Sequence, residues 1–450
     1  MECGVSKQSV RNLLEVGQGN EIAITAPNRK PLNYNGLRIH VDLIGEQLAS
    51  IGLKNSDRVA IVLPNGPEMA TAFLAVASYM SAAPLNPSYK EAEYEFYLED
   101  LKPKLVIVEE NTSNPVVKAA KKLSIPIAEI SVNKDNAAGE FSLFETRKSI
   151  DIPSIEMESL VLHTSGTTSR PKVVPLTQSN LVASSGNISA TLKLKEADHS
   201  LNIMPLFHIH GLIAVLCASI SAGSSVCCTP GFNALKFFEL ANSQKITWYS
   251  GVPTMHQAIL LRGQRQADVA KALNLRFIRS SSASLPPAVF DELIALFNCP
   301  VIEAYGMTEA THQMTSNPLP PKKQKAGFVG LPAGPEVCIM DVSGNKLVNG
   351  EEGEVCIKGD NVTPGYDKNP EANSQSFTDG WFRTGDQGKF DEDGYLKITG
   401  RLKEIINRGG EKISPLEIDN VLMDHPAIQQ VVSFAVPDKS YGEEIGVAVV

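Results

Sequence analysis

The stretch Glu158-Ser159-Leu160-Val161-Leu162-His163-Thr164-Ser165-Gly166-Thr167-Thr168-Ser169-Arg170-Pro171-Lys172 decides how the rest of the chain is read. Residues 158–163 carry a short apolar run, the pattern of a buried strand. The strand opens into a loop of hydroxyl and small side chains. Such a loop bends tightly and offers backbone N–H and side-chain O–H donors to phosphate oxygens, and Lys172 adds a point charge. It is not a Walker loop, because no Gly-Lys-Ser/Thr follows at the required spacing. A small-residue run alone is equally the mark of a polar surface loop, so its meaning depends on what surrounds it.

The same arrangement occurs twice more. Leu275-Arg276-Phe277-Ile278-Arg279 feeds Ser280-Ser281-Ser282-Ala283-Ser284, and Val301-Ile302-Glu303-Ala304-Tyr305 feeds Gly306-Met307-Thr308-Glu309. Three strand ends followed by small polar residues predict one crevice, since open α/β sheets bind ligands outside the carboxyl ends of their strands. Upstream, residues 37–51, 67–80 and 89–101 carry helical patterns, with Pro67 suited to a first turn. Residues 58–63 and 104–108 carry strand patterns. This alternation predicts an α/β fold with mostly parallel sheets.

From about Gly327 the texture changes to short strands, at 337–340, 353–357 and 394–398, separated by Gly, Pro, Asp and Asn. A boundary is expected at Gly400-Arg401-Leu402-Lys403. Beyond it come a turn at Gly409-Gly410 and a helix with Ser414 as N-cap, Pro415 at its first position and Glu417 completing a capping box. The predicted organisation is a large N-terminal domain over residues 1–400, built of parallel-type α/β subdomains with a β-rich subdomain at about 327–400. A hinge and the start of a small α+β domain follow over 401–450. The strand pattern at 445–450 runs to the last residue, from which an incomplete, truncated C-terminal domain is expected.

A chain of 450 residues, 43% of them hydrophobic, exceeds one small core. The net charge of -9 makes nucleic acid a poor partner and requires any positive field to be local. The seven cysteines are scattered with no Cys-x-x-Cys, which predicts reduced core thiols and no zinc site. No apolar leader is visible at the N-terminus, and the most apolar stretch, residues 69–82, is too short to span a bilayer. A cytoplasmic protein without a membrane partner is expected. His208 and His210 would share a face on a strand, but no third ligand cluster accompanies them. Lining a pocket is therefore the better expectation than holding a metal.

Residues 164–172 resemble the signature of the adenylate-forming superfamily, which includes acyl-CoA synthetases, luciferase and the adenylation domains of peptide synthetases. The family pattern Thr-Ser-Gly-Thr-Thr-Gly-x-Pro-Lys-Gly is matched at Thr164, Ser165, Gly166, Thr167, Thr168, Pro171 and Lys172. The chain departs at Ser169 and Val173, where glycine is usual. Val173 is expected to matter more, because a β-branched residue resists φ > 0. Further segments resemble the family in the same order. Pro205-Leu206-Phe207-His208-Ile209-His210-Gly211 is similar to the aromatic/His segment beside the acyl pocket, and Glu303 to Glu309 to the nucleotide segment. Thr384-Gly385-Asp386 is similar to the ribose turn, Gly400 to Glu404 to the hinge, and Arg408-Gly409-Gly410-Glu411-Lys412-Ile413 to the segment near the thiol acceptor. Within the family, Ser169-Arg170 and the trailing His312 resemble the plant and fungal oxalyl-CoA synthetase branch.

The resemblance implies an acyl-AMP formed from a carboxylic acid and ATP with Mg²⁺, then an acyl transfer to coenzyme A. Two anions must meet while charge grows on the leaving group, so donors, cations and a metal aimed at the phosphates are the expected equipment. It implies that Thr164, Ser165, Gly166, Thr167, Thr168 and Lys172 hold phosphates, that Thr308 contacts the α-phosphate, and that Glu309 holds Mg²⁺ as a hard oxygen ligand. Asp386 accepts from the ribose hydroxyls with Arg401 beside it. Tyr305 stacks on adenine between Glu303, Ala304, Gly306 and the Ser282, Ala283, Ser284 turn. His208, Ser281, Ser282 and His312 line the pocket of a small acid such as oxalate, His208 joining Thr308 and Glu309 as catalytic. A histidine beside a dianion is expected to be charged. Lys403 is the hinge residue, and Arg408, Gly409 and Gly410 face CoA. A 4-coumarate- or medium-chain-type ligase and an inactive nucleotide-binding relative stay open; a peptide-synthetase domain is disfavoured, since no carrier domain is visible. Family members use a lysine in a C-terminal Pro-x-x-x-x-Gly-Lys segment, which this sequence does not reach, so slow adenylation by the chain alone is expected. Oligomeric state is left open.

Overall fold

Strands that are buried on both faces need apolar residues on both, and Arg58–Val62, Ser81–Pro84 and Phe277–Ser280 are buried almost throughout, as parallel sheets covered by helices require. The computed structural model describes residues 9–164, 171–423, 425, 427, 428 and 430–450. Among these residues there are four sheets, of nine, six, five and four strands.

The six-stranded sheet runs in the order Ile127–Ile130, Leu105–Glu109, Arg58–Val62, Ser81–Pro84, Glu158–His163, Val173–Thr177. All neighbours are parallel except the last pair. The nine-stranded sheet has a parallel centre running from Val301–Met307 through Phe277–Ser280, Trp248–Gly251, His199–Asn202 and Ser225–Cys228 to Ile22–Thr25. Antiparallel strands close it at both rims. The helix Pro67–Tyr79 packs against the helix Tyr34–Ser50 and touches strands of both large sheets. Every one of its residues except Glu68 is buried, which explains an apolar stretch with no polar face. No helix among the described residues is long and apolar enough to cross a membrane.

The β-rich part is a five-stranded antiparallel sheet of Glu336–Met340, Gly353–Lys358, Trp381–Phe390, Phe377–Thr378 and Leu396–Arg401. Its last strand starts later than the apolar pattern suggests, because residues 391–394 form a turn closed by Gly394 N–H on the Asp391 carbonyl at 3.0 Å. That strand runs on through Gly400 and Arg401, so these two residues belong to the sheet. The four-stranded sheet pairs Ile406–Arg408 with Glu411–Ile413 and with Gly442–Val449, which in turn pairs with Val431–Asp438. The helix Pro415–Met423 starts where expected, and the Ser414 hydroxyl donates back to the Thr399 carbonyl.

Val173 behaves differently from the sequence expectation. It opens the strand Val173–Thr177, pairs with His163, and is buried in a cluster with Val161, Val62 and Val108. Its backbone is extended, not left-handed, so a β-branched residue is at home there. The six described cysteines are all free thiols, five buried and Cys338 half-buried.

Candidate active site

Because Glu158–His163 and Val173–Thr177 are antiparallel neighbours, the segment between them is a hairpin loop, not a strand-to-helix loop. Thr164 N–H donates to the Lys172 carbonyl at 2.9 Å, and Lys172 N–H donates to Thr164 Oγ1 at 3.0 Å. The Thr164 hydroxyl thus closes the hairpin. Ser165, Gly166, Thr167, Thr168, Ser169 and Arg170 lie outside the described residues.

Lys172 reaches the 359–369 loop. Its Nζ lies 4.3 Å from the centre of the Tyr366 ring, and the Tyr366 hydroxyl donates to Glu309 Oε1 at 2.8 Å. Burial lowers the Lys172 ammonium below its ordinary range; Glu309 opposes that, and the nearby Lys403 adds to it. Glu309 is buried, and burial holds its carboxyl above the usual range against the pull of Tyr366, Lys172 and Arg401. Thr363 fixes the wall: its N–H donates to the Glu309 carbonyl at 2.7 Å and its hydroxyl to the Pro175 carbonyl at 2.8 Å. These contacts bring Lys172 and Pro175, the turn Thr308–Ala310, and Thr363 and Tyr366 of the 359–369 loop together as one side of the candidate site.

On the next side, Asp386 accepts from the Tyr305 hydroxyl and, at 2.8 Å, from Arg401 Nε. Burial, then Asp386, drives the Tyr305 hydroxyl far above its ordinary range. Leu402 N–H donates to the Gly385 carbonyl at 2.9 Å, so the exposed Arg401 ends the sheet beside this turn and the exposed Lys403 follows just beyond it. Ser282, Ala283 and Ser284 are exposed. Glu303 is buried, accepts from Leu285 N–H at 2.9 Å, and leaves Oε2 unpartnered; burial pushes it up to about 8. It shapes the Ser280–Leu285 turn rather than presenting a carboxylate to the crevice. Ser281 is buried, with its hydroxyl donating to the Ala304 carbonyl at 2.7 Å, so its side chain serves the backbone. A Cβ on Gly306 would meet the His312 carbonyl at 1.9 Å, and only glycine permits that approach.

The third side corrects the strand expectation for 205–211. His208 N–H donates to the Pro205 carbonyl at 3.3 Å, and the π-helix His210–Cys217 follows, a rare turn that clusters at functional sites. His208 and His210 do not share a face. His208 is exposed and its ring tilts against Phe207, whereas His210 is buried. His210 Nδ1 lies 2.9 Å from Ser282 Oγ, its Nε2 lies 2.6 Å from Ser250 Oγ, and its ring is 4.9 Å from that of His312. Behind both sits Arg279, fully buried, 3.4 Å from Ser250 Oγ, 3.2 Å from Gln313 Oε1 and 3.5 Å from His312 Nδ1. Burial, then the Arg279 charge, holds His210 and His312 well below the ordinary histidine range. The expectation of charged histidines concerns a bound dianion; without one, Arg279 is the cation closest to both rings.

Arg279 and Tyr366 are the residues that sequence reasoning missed. Arg279 had a signal, since a charged residue inside a buried strand pattern is anomalous. Tyr366 sits among turn residues and had none. In the terminal sheet, Gly409 and Gly410 have φ of 60° and 98°, the left-handed pair that a two-residue hairpin turn demands. Arg408 holds Glu444 at 2.7 and 2.8 Å and lies 4.1 Å over the Tyr441 ring, contacts within that sheet.

Residues 15–367 match the AMP-binding enzyme family. The chain is 45% identical over 449 residues to the oxalate–CoA ligase of Arabidopsis thaliana, covering 95% of this chain and 87% of that protein. It is 43% identical over 423 residues to the oxalate–CoA ligase of Saccharomyces cerevisiae, covering 88% and 77%. Its fold is similar to that of the o-succinylbenzoate coenzyme A synthetase of Bacillus subtilis in complex with ATP and magnesium ion, with a TM-score of 0.83, 26% identity, and 98% and 89% of the two chains covered.

Proposed function

The chain belongs to the AMP-binding enzyme family as an ATP-dependent acid–CoA ligase that works through an acyl-AMP, and from that premise we propose oxalate as its acid. One observation carries the choice. The acid side of the crevice is a buried polar cluster of His210, His312, Ser250 and Arg279, reached past the exposed Ser282. A long-chain or aromatic acid requires an apolar tunnel; a dianion of two carboxylates requires donors and positive charge. The two oxalate–CoA ligases above support the same acid.

In the first step an oxygen of one oxalate carboxylate attacks the α-phosphorus of ATP, and the bond from that phosphorus to pyrophosphate breaks. In the second, the CoA sulfur attacks the acyl carbon and AMP leaves. Lys172 and the 164–172 hairpin, including Thr164, take the β- and γ-phosphates, and Thr308 takes the α-phosphate. Glu309 suits Mg²⁺ as a hard oxygen ligand, buried, with one oxygen already oriented by Tyr366; the ion, when bound, neutralises phosphate charge. Asp386 and Arg401 take the ribose. Tyr305, the backbone of Glu303, Ala304 and Gly306, and the turn Ser282-Ala283-Ser284 take the adenine. His210 and His312 orient the acid, and His208 stands at the mouth. Residues 1–400 and 401–450 form two units about Lys403, and rotation of the second would exchange the adenylation face for the one bearing Arg408, Gly409 and Gly410. The cytosol, where ATP and CoA are abundant, is the compartment this chemistry favours.

Acid-dependent ATP–pyrophosphate exchange with oxalate, malonate, octanoate and coumarate tests the assignment. Oxalate should lead octanoate and coumarate by at least about 100-fold in kcat/KM, a lower bound for a site built around buried polar partners. Octanoate or coumarate matching oxalate would overturn it.

A further inference from the structure

The guanidinium of Arg279 lies at the centre of the nine-stranded sheet, where strand Phe277–Ser280 runs between Trp248–Gly251 and Val301–Met307. It is fully buried, and its hydrogen-bond partners among the described residues, Ser250, Gln313 and His312, are all neutral and no closer than 3.2 Å. Its Nε has no partner among the described residues. Buried charges are ordinarily paired, because an unpaired one forfeits its hydration without return. Leucine or valine would fill this strand position without that penalty, so the charge calls for a use.

The surroundings point to the use. A hydrogen-bonded path runs from the exposed Ser282 through His210 and Ser250 to Arg279. His312 flanks it, 4.9 Å ring to ring from His210. The backbone here is strained: Ser282 and His312 hold φ of 74° and 93°, left-handed values that cost a side-chain-bearing residue energy,. His312 is kept there by its neighbour Thr311, whose carbonyl accepts from Ser184 at 2.5 Å and whose hydroxyl donates to the Asn361 carbonyl at 2.7 Å. Strain gathers where the fold holds a pocket wall against local preference.

We propose that Arg279 is the specificity-determining residue for a dianionic acid, its charge acting across one layer of neutral hydrogen-bonding groups to counter the carboxylate that is not adenylated. This rests on the oxalate reading above. The histidines serve as neutral donors that shape the site, and the arginine supplies the sign of charge it accepts.

The test compares oxalate with oxamate, its monoamide, which keeps the shape and drops one charge, in ATP–pyrophosphate exchange by the full chain carrying Arg279→Gln or Arg279→Lys. Calorimetric ATP binding checks each variant's fold. The unaltered chain should prefer oxalate by about 100-fold or more, as a site with a committed polar partner does. Arg279→Gln should collapse that ratio to within about fivefold, mainly through the oxalate KM, with ATP affinity held within about twofold. Arg279→Lys, which keeps the charge, should retain most of the preference. A Gln variant that binds ATP and keeps the full preference overturns the proposal while leaving the oxalate reading intact. If the Gln variant does not bind ATP, a Lys variant that does bind it and has lost the preference overturns the proposal. An unaltered chain that ignores oxalate and turns over octanoate overturns the oxalate reading itself.

Discussion

The two ends of the crevice handle charge in opposite ways. On the side we propose for the nucleotide the protein pairs its own groups: Asp386 with Tyr305 and Arg401, Glu309 with Tyr366, and Lys172 over the Tyr366 ring. On the side we propose for the acid, Arg279 has only weak neutral partners among the described residues. A ligand arriving at the paired side must trade contacts, so net affinity there is modest and geometry matters most. A ligand arriving at the unpaired side satisfies a group the fold has left unsatisfied, and the gain depends on its charge. The nucleotide side should therefore govern rate, and the acid side choice of substrate.

The largest expected effect lies on the nucleotide side. Glu309→Gln keeps the shape and removes the charge that suits Mg²⁺, so acid-dependent pyrophosphate exchange should fall by at least about 100-fold, with the ranking of acids unchanged. Exchange measured across Mg²⁺ concentrations with the acid panel checks both halves. A change in acid ranking would break the separation between the two ends.

Tyr366→Phe should act in the same direction more weakly. It removes the hydroxyl that orients Glu309 while leaving the ring beneath Lys172. The loss of an outer partner to a metal ligand costs about tenfold, here expected as a higher Mg²⁺ requirement for exchange. An unchanged Mg²⁺ profile in a stable variant would remove Tyr366 from the nucleotide side and leave Glu309 to act alone.

Local patterns made most of the fold legible. The strand Glu158–His163 lies where its apolar run placed it, and the helix Pro67–Tyr79 announces its burial by lacking a polar face. The three strand-end segments were visible because small polar residues follow apolar ones in each. What sequence could not supply was pairing between distant segments. Nothing near Lys172 reveals that the hairpin returns as a strand, and this is why Val173 looked anomalous. The histidines were visible, but which one faces inward depends on a π-helix, a rare conformation without a periodic signature. Burial first, and then Arg279, holds both rings below the ordinary histidine range, and Arg279 is 69 and 33 positions away in sequence from His210 and His312 respectively. The buried charge itself was in plain view inside a strand pattern, and its meaning needed the knowledge that no acidic partner meets it among the described residues, which only the fold reveals.

The smallest expected effect sharpens the comparison most, because it asks whether Arg279 is truly alone. Glu303 is the other buried ionisable group on the neighbouring strand, with Oε2 unpartnered. In register Ser280 opposes Glu303 while Arg279 opposes Ile302, so the alternation of side chains sends the acid and the base to opposite faces. Each resolves burial by its own chemistry. The carboxyl is pushed up to about 8 and takes a proton; the guanidinium falls to about 9 and stays charged at neutral pH. Between the ordinary carboxylate range and pH 8 the folded chain holds a proton on Glu303 that the unfolded chain has lost, so stability contributed by the protonated form falls as pH rises through that window. Glu303→Gln, a permanent mimic of the protonated acid, should match the unaltered chain in Tm at pH 5 and exceed it by a few degrees, on the order of 2–4 °C, at pH 8. A Tm difference independent of pH from 5 to 8.5 would mean that Glu303 is ionised in the fold. A buried negative charge would then lie on the strand beside Arg279, across the sheet from it, and would weaken from a distance the positive field proposed for the acid side.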